Sequence, residues 1–199
     1  MLGTGGPGWD QLEISTTQKY AGVSSCFWTR NDMTSCWAMS DWWTPGGNDF
    51  TIEFYAYTFG AGFHGGIQRI INQWSQATDR AWDISMGTTA LGVGPNIGFS
   101  WTTDGTTAKS FGLGGVPGSL PSNTWNKIAI QRKGATLTQF LNGIPKATYT
   151  IGSDVIANST RNINIGNYMN GDATGAFSSA TSSFYGYIDE VKIYNGALY

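Results

Sequence analysis

"NTWNKIAIQRKGATLTQFLNGIPKATYTI", residues 123–151, holds three short apolar runs around two tight-turn signals, Lys133-Gly134 and Asn142-Gly143. A two-residue type I′ turn needs positive φ at both central positions, which Asn and Gly tolerate, so Asn142-Gly143 predicts a β-hairpin. The run before it sets Leu137, Gln139 and Leu141 against Thr138, Phe140 and Asn142, one face for a core and the other carrying an aromatic. Antiparallel strands joined by such turns make a sheet, and a sheet must bury one face against another layer. The stretch therefore predicts a second sheet.

The same period runs through the rest of the chain. "NDFTIEFYAYTF" (48–59) alternates Phe50, Ile52, Phe54 and Ala56 against Thr51, Glu53, Tyr55 and Tyr57. "AWDISMG" (81–87) places Trp82, Ile84 and Met86 on one face, and "NIGFSWTTDG" (96–105) groups Ile97, Phe99 and Trp101 before an Asp104-Gly105 turn. No segment has a helical period. With 199 residues, 28 glycines and only 12% charged residues, short strands and many turns are favoured over helices. The expectation is an all-β, two-sheet antiparallel jelly-roll sandwich: one domain over residues 19–199, preceded by a Gly-rich arm over residues 1–18.

A net charge of -2, with no basic run longer than Arg132-Lys133, carries no electrostatic footprint for nucleic acid. No stretch approaches the ~20 apolar residues of a membrane span, and "MLGTGGPGWDQLE" lacks the basic start and apolar core of a signal peptide, so a soluble protein not exported by that route is expected. Cys26 and Cys36 bracket "FWTRNDMTS". If their flanks pair as a hairpin around Asn31, the two would face each other as a disulfide in an oxidising compartment; otherwise they are free thiols, and the sequence leaves both open.

Trp82 and Trp101 fall on the core parity of their strands, and Trp74 and Trp125 are expected to pack likewise. Tyr55, Tyr57 and Phe140 stand on the opposite parity, where sugar rings or another subunit would meet them; covering by a loop of the same chain is the stronger reading. Trp42 and Trp43, before Pro45-Gly46-Gly47, are loop candidates for the same role. In "NYMNGD", Asn167, Asn170 and Asp172 offer oxygen ligands in one turn, but three side chains are too few for calcium and an Asx-rich turn is the plainer reading. No cofactor is expected, with calcium the alternative at that turn. His64, in "GAGFHGG", has no triad or metal partner placed with it. In the arm, Trp9, Leu12 and Ile14 supply apolar surface that would anchor in a groove on a partner subunit.

In order along the chain, "DFTIEF", "IINQW", "FSWTTDG", "NTWNKIAIQRKGATLTQFLNG", "INIG" and "YGYIDEVKIYNGALY" resemble the laminin-G-like domains of the concanavalin A-like lectin and glucanase fold, over roughly residues 19–199. The resemblance implies a curved sandwich whose ligands are sugars or proteins. The wording looks most like single-domain versions in tailed-phage virion proteins, which implies a decoration protein or a tail or fibre adhesin on a virion surface. Its partners would be other virion proteins, further copies of itself, or a cell-surface glycan. The alternatives are a free, extracellular microbial carbohydrate-binding module or lectin, and a glycoside hydrolase. Glucanases of the fold carry a Glu-x-Asp-x-x-Glu cluster, because hydrolysis needs two carboxyls ~5 to 9.5 Å apart. This chain has none. Asp49 and Glu53 are about 13 Å apart along a strand, and Asp189 and Glu190 are adjacent, with Asp189 expected to hydrogen-bond structurally. A non-enzymatic binding module is therefore expected.

Overall fold

The computed structural model describes residues 13–22, 25–28, 36–37, 43–59, 67–75, 78–87, 96–112, 120–166 and 184–199. They form strands β1 (Glu13–Ser15), β2 (Ser25–Trp28), β3 (Cys36–Trp37), β4 (Phe50–Thr58), β5 (Gln68–Gln73), β6 (Trp82–Gly87) and β7 (Asn96–Thr102). These are followed by β8 (Ala108–Phe111), β9 (Trp125–Lys133), β10 (Thr136–Leu141), β11 (Ile144–Thr150), β12 (Asn164–Ile165) and β13 (Gly186–Tyr194). A seven-stranded sheet runs β1-β2-β13-β4-β9-β10-β11, and a six-stranded sheet runs β3-β12-β5-β6-β7-β8. The two-sheet all-β sandwich read from the sequence is the fold, and no described residue is helical.

The hairpin predicted at residues 142–143 closes β10 onto β11, with Asn142 at φ 52° and Gly143 at φ 79°. The Asn142 side chain does further work, accepting the Lys127 backbone N–H at 2.8 Å. The closing strand β13 enters between β2 and β4. Gly186 admits it there: at φ 153° a Cβ would stand 2.1 Å from the Tyr57 carbonyl oxygen, so a side chain would separate the strands. A bulge between Asp189 and Lys192 puts Glu190 at φ 50°. As expected, Asp189 is structural: its carboxylate accepts the backbone N–H groups of Tyr20, Ala21 and Glu190 at 3.0, 3.1 and 2.8 Å.

Between the sheets, Phe50, Ile52, Phe54, Ile128 and Ile130 meet Trp82, Ile84, Phe99 and Trp101, all at most 1% exposed. Each such side chain contributes about 1.5–3 kcal/mol. One charge sits on the core side of β9. Arg132, the register partner of both Phe50 and Leu137, is 3% exposed and bonds no carboxylate among the described residues. Its guanidinium donates to the carbonyls of Gly134, Gly46, Asp154 and Gly152 at 2.7–3.3 Å. Three turns, at residues 46, 134 and 152–154, are thereby tied to one side chain.

Two sequence expectations are corrected here. The arm drawn at residues 1–18 ends in strand, because Glu13, Ile14 and Ser15 pair with Phe27, Cys26 and Ser25 at the edge of the seven-stranded sheet. The backbone of Ile14 is thus paired within its own chain, while Trp9 and Leu12 lie outside the described residues. Nor do the cysteine flanks pair with each other: Cys26 is on β2 of one sheet and Cys36 on β3 of the other, so the hairpin route to a disulfide is not the one the fold takes. No helix among the described residues is long and apolar enough to cross a membrane.

Candidate functional site

Parity placed Tyr55, Tyr57 and Phe140 on the outer face of the seven-stranded sheet, and they are there, each partly buried by other parts of the chain. Tyr20 stacks on Tyr55 with ring centroids 3.5 Å apart. The hydrogen bond between these two phenols, with burial, pushes the Tyr55 hydroxyl up to about 12. Phe140 is covered by Tyr199 at 4.8 Å. Tyr199 in turn donates its hydroxyl to Glu53 at 2.6 Å and accepts from Lys127 at 2.8 Å. Burial alone would raise the Glu53 carboxyl, but these two partners hold it below its ordinary value.

Tyr57 is the hub of a satellite cluster, 5.8 Å from Phe59, 5.8 Å from Trp125 and 5.7 Å from Tyr187, with interplanar angles of 73°, 66° and 80°. Edge-to-face rings satisfy one another and do not present coplanar faces to a ligand. Trp125, expected in the core, belongs to this outer cluster. Tyr57→Ala is expected to cost about 2–3 kcal/mol, part burial and part lost ring pairs. Chemical denaturation measures it, and a loss below about 0.5 kcal/mol would return Tyr57 to the list of free ligand platforms.

Trp43 departs from its expected role. It is 4% exposed, packs edge-on against Phe50 and Trp82 at 5.8 and 5.6 Å, and donates its indole N–H to Asn195 at 2.7 Å. A cleft of about 550 Å³ opens beside it, bounded by Thr44, Asn48, Asp49 and Asn195, but the indole face is spent on the core. Trp42, His64, Asn167, Asn170 and Asp172 lie outside the described residues.

The outer face of the six-stranded sheet carries what the parity reading missed. Across four adjacent strand pairs the register sets Asn164 opposite Asn72, Asn72 opposite Asp83, Asp83 opposite Ser100, and Ser100 opposite Ser110. This is a continuous polar row. Asn164, Asn72 and Asp83 are 0% exposed and Ser100 is 9% exposed, while Ser110 is open to solvent. Asp83 forms an ion pair with Arg69. Burial pushes the Asp83 carboxyl up and the Arg69 guanidinium draws it partly back. One oxygen of Asp83, Oδ1, and the side-chain oxygen of Asn164 accept no hydrogen bond. Nearby, Trp74, 5% exposed, lies under the guanidinium groups of Arg69 and Arg80 at 5.9 and 5.4 Å. It is buried as expected, outside the main core cluster, and serves as the base of two cation-π contacts. The signal was present in "QRIINQW", "AWDISMG" and "NIGFSWT": where Trp82, Ile84, Phe99 and Trp101 mark one face, Asp83, Ser85 and Ser100 mark a polar one.

Buried polar groups are costly unless partnered, so the unsatisfied atoms of this row call for an explanation. Asp83 is the one carboxylate among the described residues of β5, β6, β7, β8 and β12, so no second acid faces it from those strands. Elsewhere the described acids are committed to scaffolding. Asp49 accepts the Gly134 N–H at 2.7 Å, Asp154 binds Lys109 and the Trp101 indole, and Asp79 binds Thr160 and Arg161. Burial would raise the Asp79 carboxyl, but the hydrogen bonds from Thr160 and Ser159 and the Arg161 charge keep it below its ordinary value.

A family model described as the concanavalin A-like lectin/glucanases superfamily matches residues 33–199. Among curated proteins, no sequence match is found. Among solved structures, the chain is similar to domain 4 of a GH43 extracellular arabinanase from Geobacillus stearothermophilus in complex with arabinotriose, at 14% identity and TM-score 0.63, covering 96% of this chain and 78% of that one. It is also similar to a CBM40 of a Ruminococcus gnavus IT-sialidase bound to α2,3-sialyllactose, at 15% identity and TM-score 0.56, covering 83% and 91%. A third similar structure is the binding domain of Paraclostridial Mosquitocidal Protein 1, at 14% identity and TM-score 0.65, covering 94% of this chain and 43% of that one. At these identities the likeness concerns the fold.

Proposed function

Because the chain belongs to the concanavalin A-like lectin/glucanase superfamily, we propose that it is a non-enzymatic glycan-binding module whose site is the polar row on the six-stranded sheet. The observation that carries this reading is the buried row itself, with the Arg69–Asp83 pair at its centre and acceptor oxygens left open on Asp83 and Asn164. Side-chain amides, a paired carboxylate and hydroxyls on rigid strands are the groups that fix hydroxyl-bearing ligands in place. The similar solved structures, mostly binding domains and two of them holding oligosaccharides, support the same class. The setting we propose is a tailed-phage virion surface, among other virion proteins or copies of itself. Its support is the Gly-rich stretch "MLGTGGPG", and a free extracellular module is the rival.

Glycan-array retention of the purified chain, paired with incubation on β-glucans, arabinans and sialyllactose, tests the reading. Retention without release of reducing ends is expected. Release above a heat-killed control would make the protein a hydrolase, and absence of retention on any glycan would remove the binding reading.

A further inference from the structure

Phe140 on β10, Ala129 on β9 and Glu53 on β4 are direct register partners across three adjacent strands, on the outer face of the seven-stranded sheet. With strands about 4.8 Å apart, Phe140 and Glu53 stand roughly 10 Å from each other, and the small Ala129 between them leaves a floor for a single six-membered ring. The ring there is that of Tyr199. It lies 4.8 Å from Phe140, donates its hydroxyl to Glu53 at 2.6 Å and accepts from Lys127 at 2.8 Å, while Lys127 also pairs with Glu53 at 3.0 Å. An aromatic platform at one end, with a carboxylate acceptor and an ammonium donor at the other, is suited to hold one sugar ring by its face and its hydroxyls. The two charges compensate each other, so the ring they suit is a neutral one. We propose, taking the ligand class from the glycan-binding reading, that this cradle is a second sugar subsite, closed in this chain by Tyr199 acting as a displaceable plug.

The way the plug is held supports its displacement. Tyr199 is 40% and Leu198 51% exposed, and both lie beyond the end of β13 at Tyr194. The backbone is held by side chains: Gln131 accepts the Tyr199 N–H at 2.7 Å and donates to its carbonyl at 2.9 Å, and Thr51 accepts the Leu198 N–H at 3.2 Å. Water replaces hydrogen bonds of so exposed a segment at small net cost. The Tyr199 ring is tilted 37° from Phe140, whereas Tyr20 stacks on Tyr55 at 16° and 3.5 Å, so the plug is the looser of the two covers on this face. A sugar that stacks on Phe140 and offers hydroxyls to Glu53 and Lys127 remakes the side-chain contacts that Tyr199 gives up, and so favours the open state.

The test compares retention on a glycan array of the wild-type chain, Tyr199→Ala and Tyr199→Ala/Phe140→Ala, with the folding of each checked by denaturation. Tyr199→Ala should raise retention of neutral glycans by about tenfold, the factor expected of a plug closed about nine-tenths of the time, and Phe140→Ala in that background should remove the gain. Tyr199→Phe, which gives up only the hydroxyl anchor, should shift retention the same way by a smaller factor and substitutes if the alanine variant does not fold. Lys127→Met likewise substitutes for Phe140→Ala. No gain in a folded Tyr199 variant overturns this inference while leaving wild-type glycan binding standing, and a gain that survives the second substitution places the ligand elsewhere and overturns it too. A gain over a wild type that retains nothing upholds the cradle and removes the polar row; no retention by any of the proteins overturns both.

Discussion

Arg132→Met is expected to lower the free energy of unfolding by about 3–5 kcal/mol. The side chain is 3% exposed and every hydrogen bond it makes goes to a backbone carbonyl. Removing it orphans the carbonyls of Gly134, Gly152 and Asp154; that of Gly46 keeps a second partner in the Ile156 N–H at 3.0 Å. An acceptor left open costs up to about 1–3 kcal/mol where water is kept out, less at exposed Gly134 than at half-buried Gly152 and Asp154, and methionine recovers part of that through apolar burial. Lysine, with three donors on a compact head instead of a planar fork, should recover roughly half. Urea denaturation with an unchanged slope measures both variants, and a loss under about 1 kcal/mol for methionine would show that the three turns hold without the clamp.

The second large effect concerns the Arg69–Asp83 pair. Asp83→Leu alone should cost about 3–5 kcal/mol, because it strands a guanidinium whose side chain is 15% exposed; Arg69→Met alone should cost a comparable amount by leaving a wholly buried carboxylate without its cation. The double variant should regain most of the loss, since a buried ion pair is often replaceable by well-packed apolar groups. Its coupling energy is expected at about 2 kcal/mol or more. Additive single losses would mean that the two side chains act separately, and the row would lose its electrostatic centre.

Period-2 patterning made the sandwich legible because the core faces of β4 from Phe50 to Ala56, of β6 and of β7 are apolar, and Asn142-Gly143 marked a tight hairpin turn. Arg132 stayed hidden because its core position follows from pairing β9 with β4, whose partner residues lie some 80 positions earlier. That Trp125 joins Tyr57 on the outer face, and that Tyr199 covers Phe140, became visible only in the folded chain. The polar row was half legible. Single strands displayed Asp83 and Ser100 opposite the tryptophans, but their alignment with Asn72 and Asn164 is a property of four strands together.

The central claim is that glycans bind across that row. Its most direct measurement is isothermal titration of the best-retained neutral glycan into the wild-type chain and into the Arg69→Met/Asp83→Leu double variant, whose folding is checked by denaturation in parallel. Loss of binding by at least about tenfold in a folded double variant is the predicted result. Wild-type affinity in that variant would contradict the account and move the ligand off the six-stranded sheet.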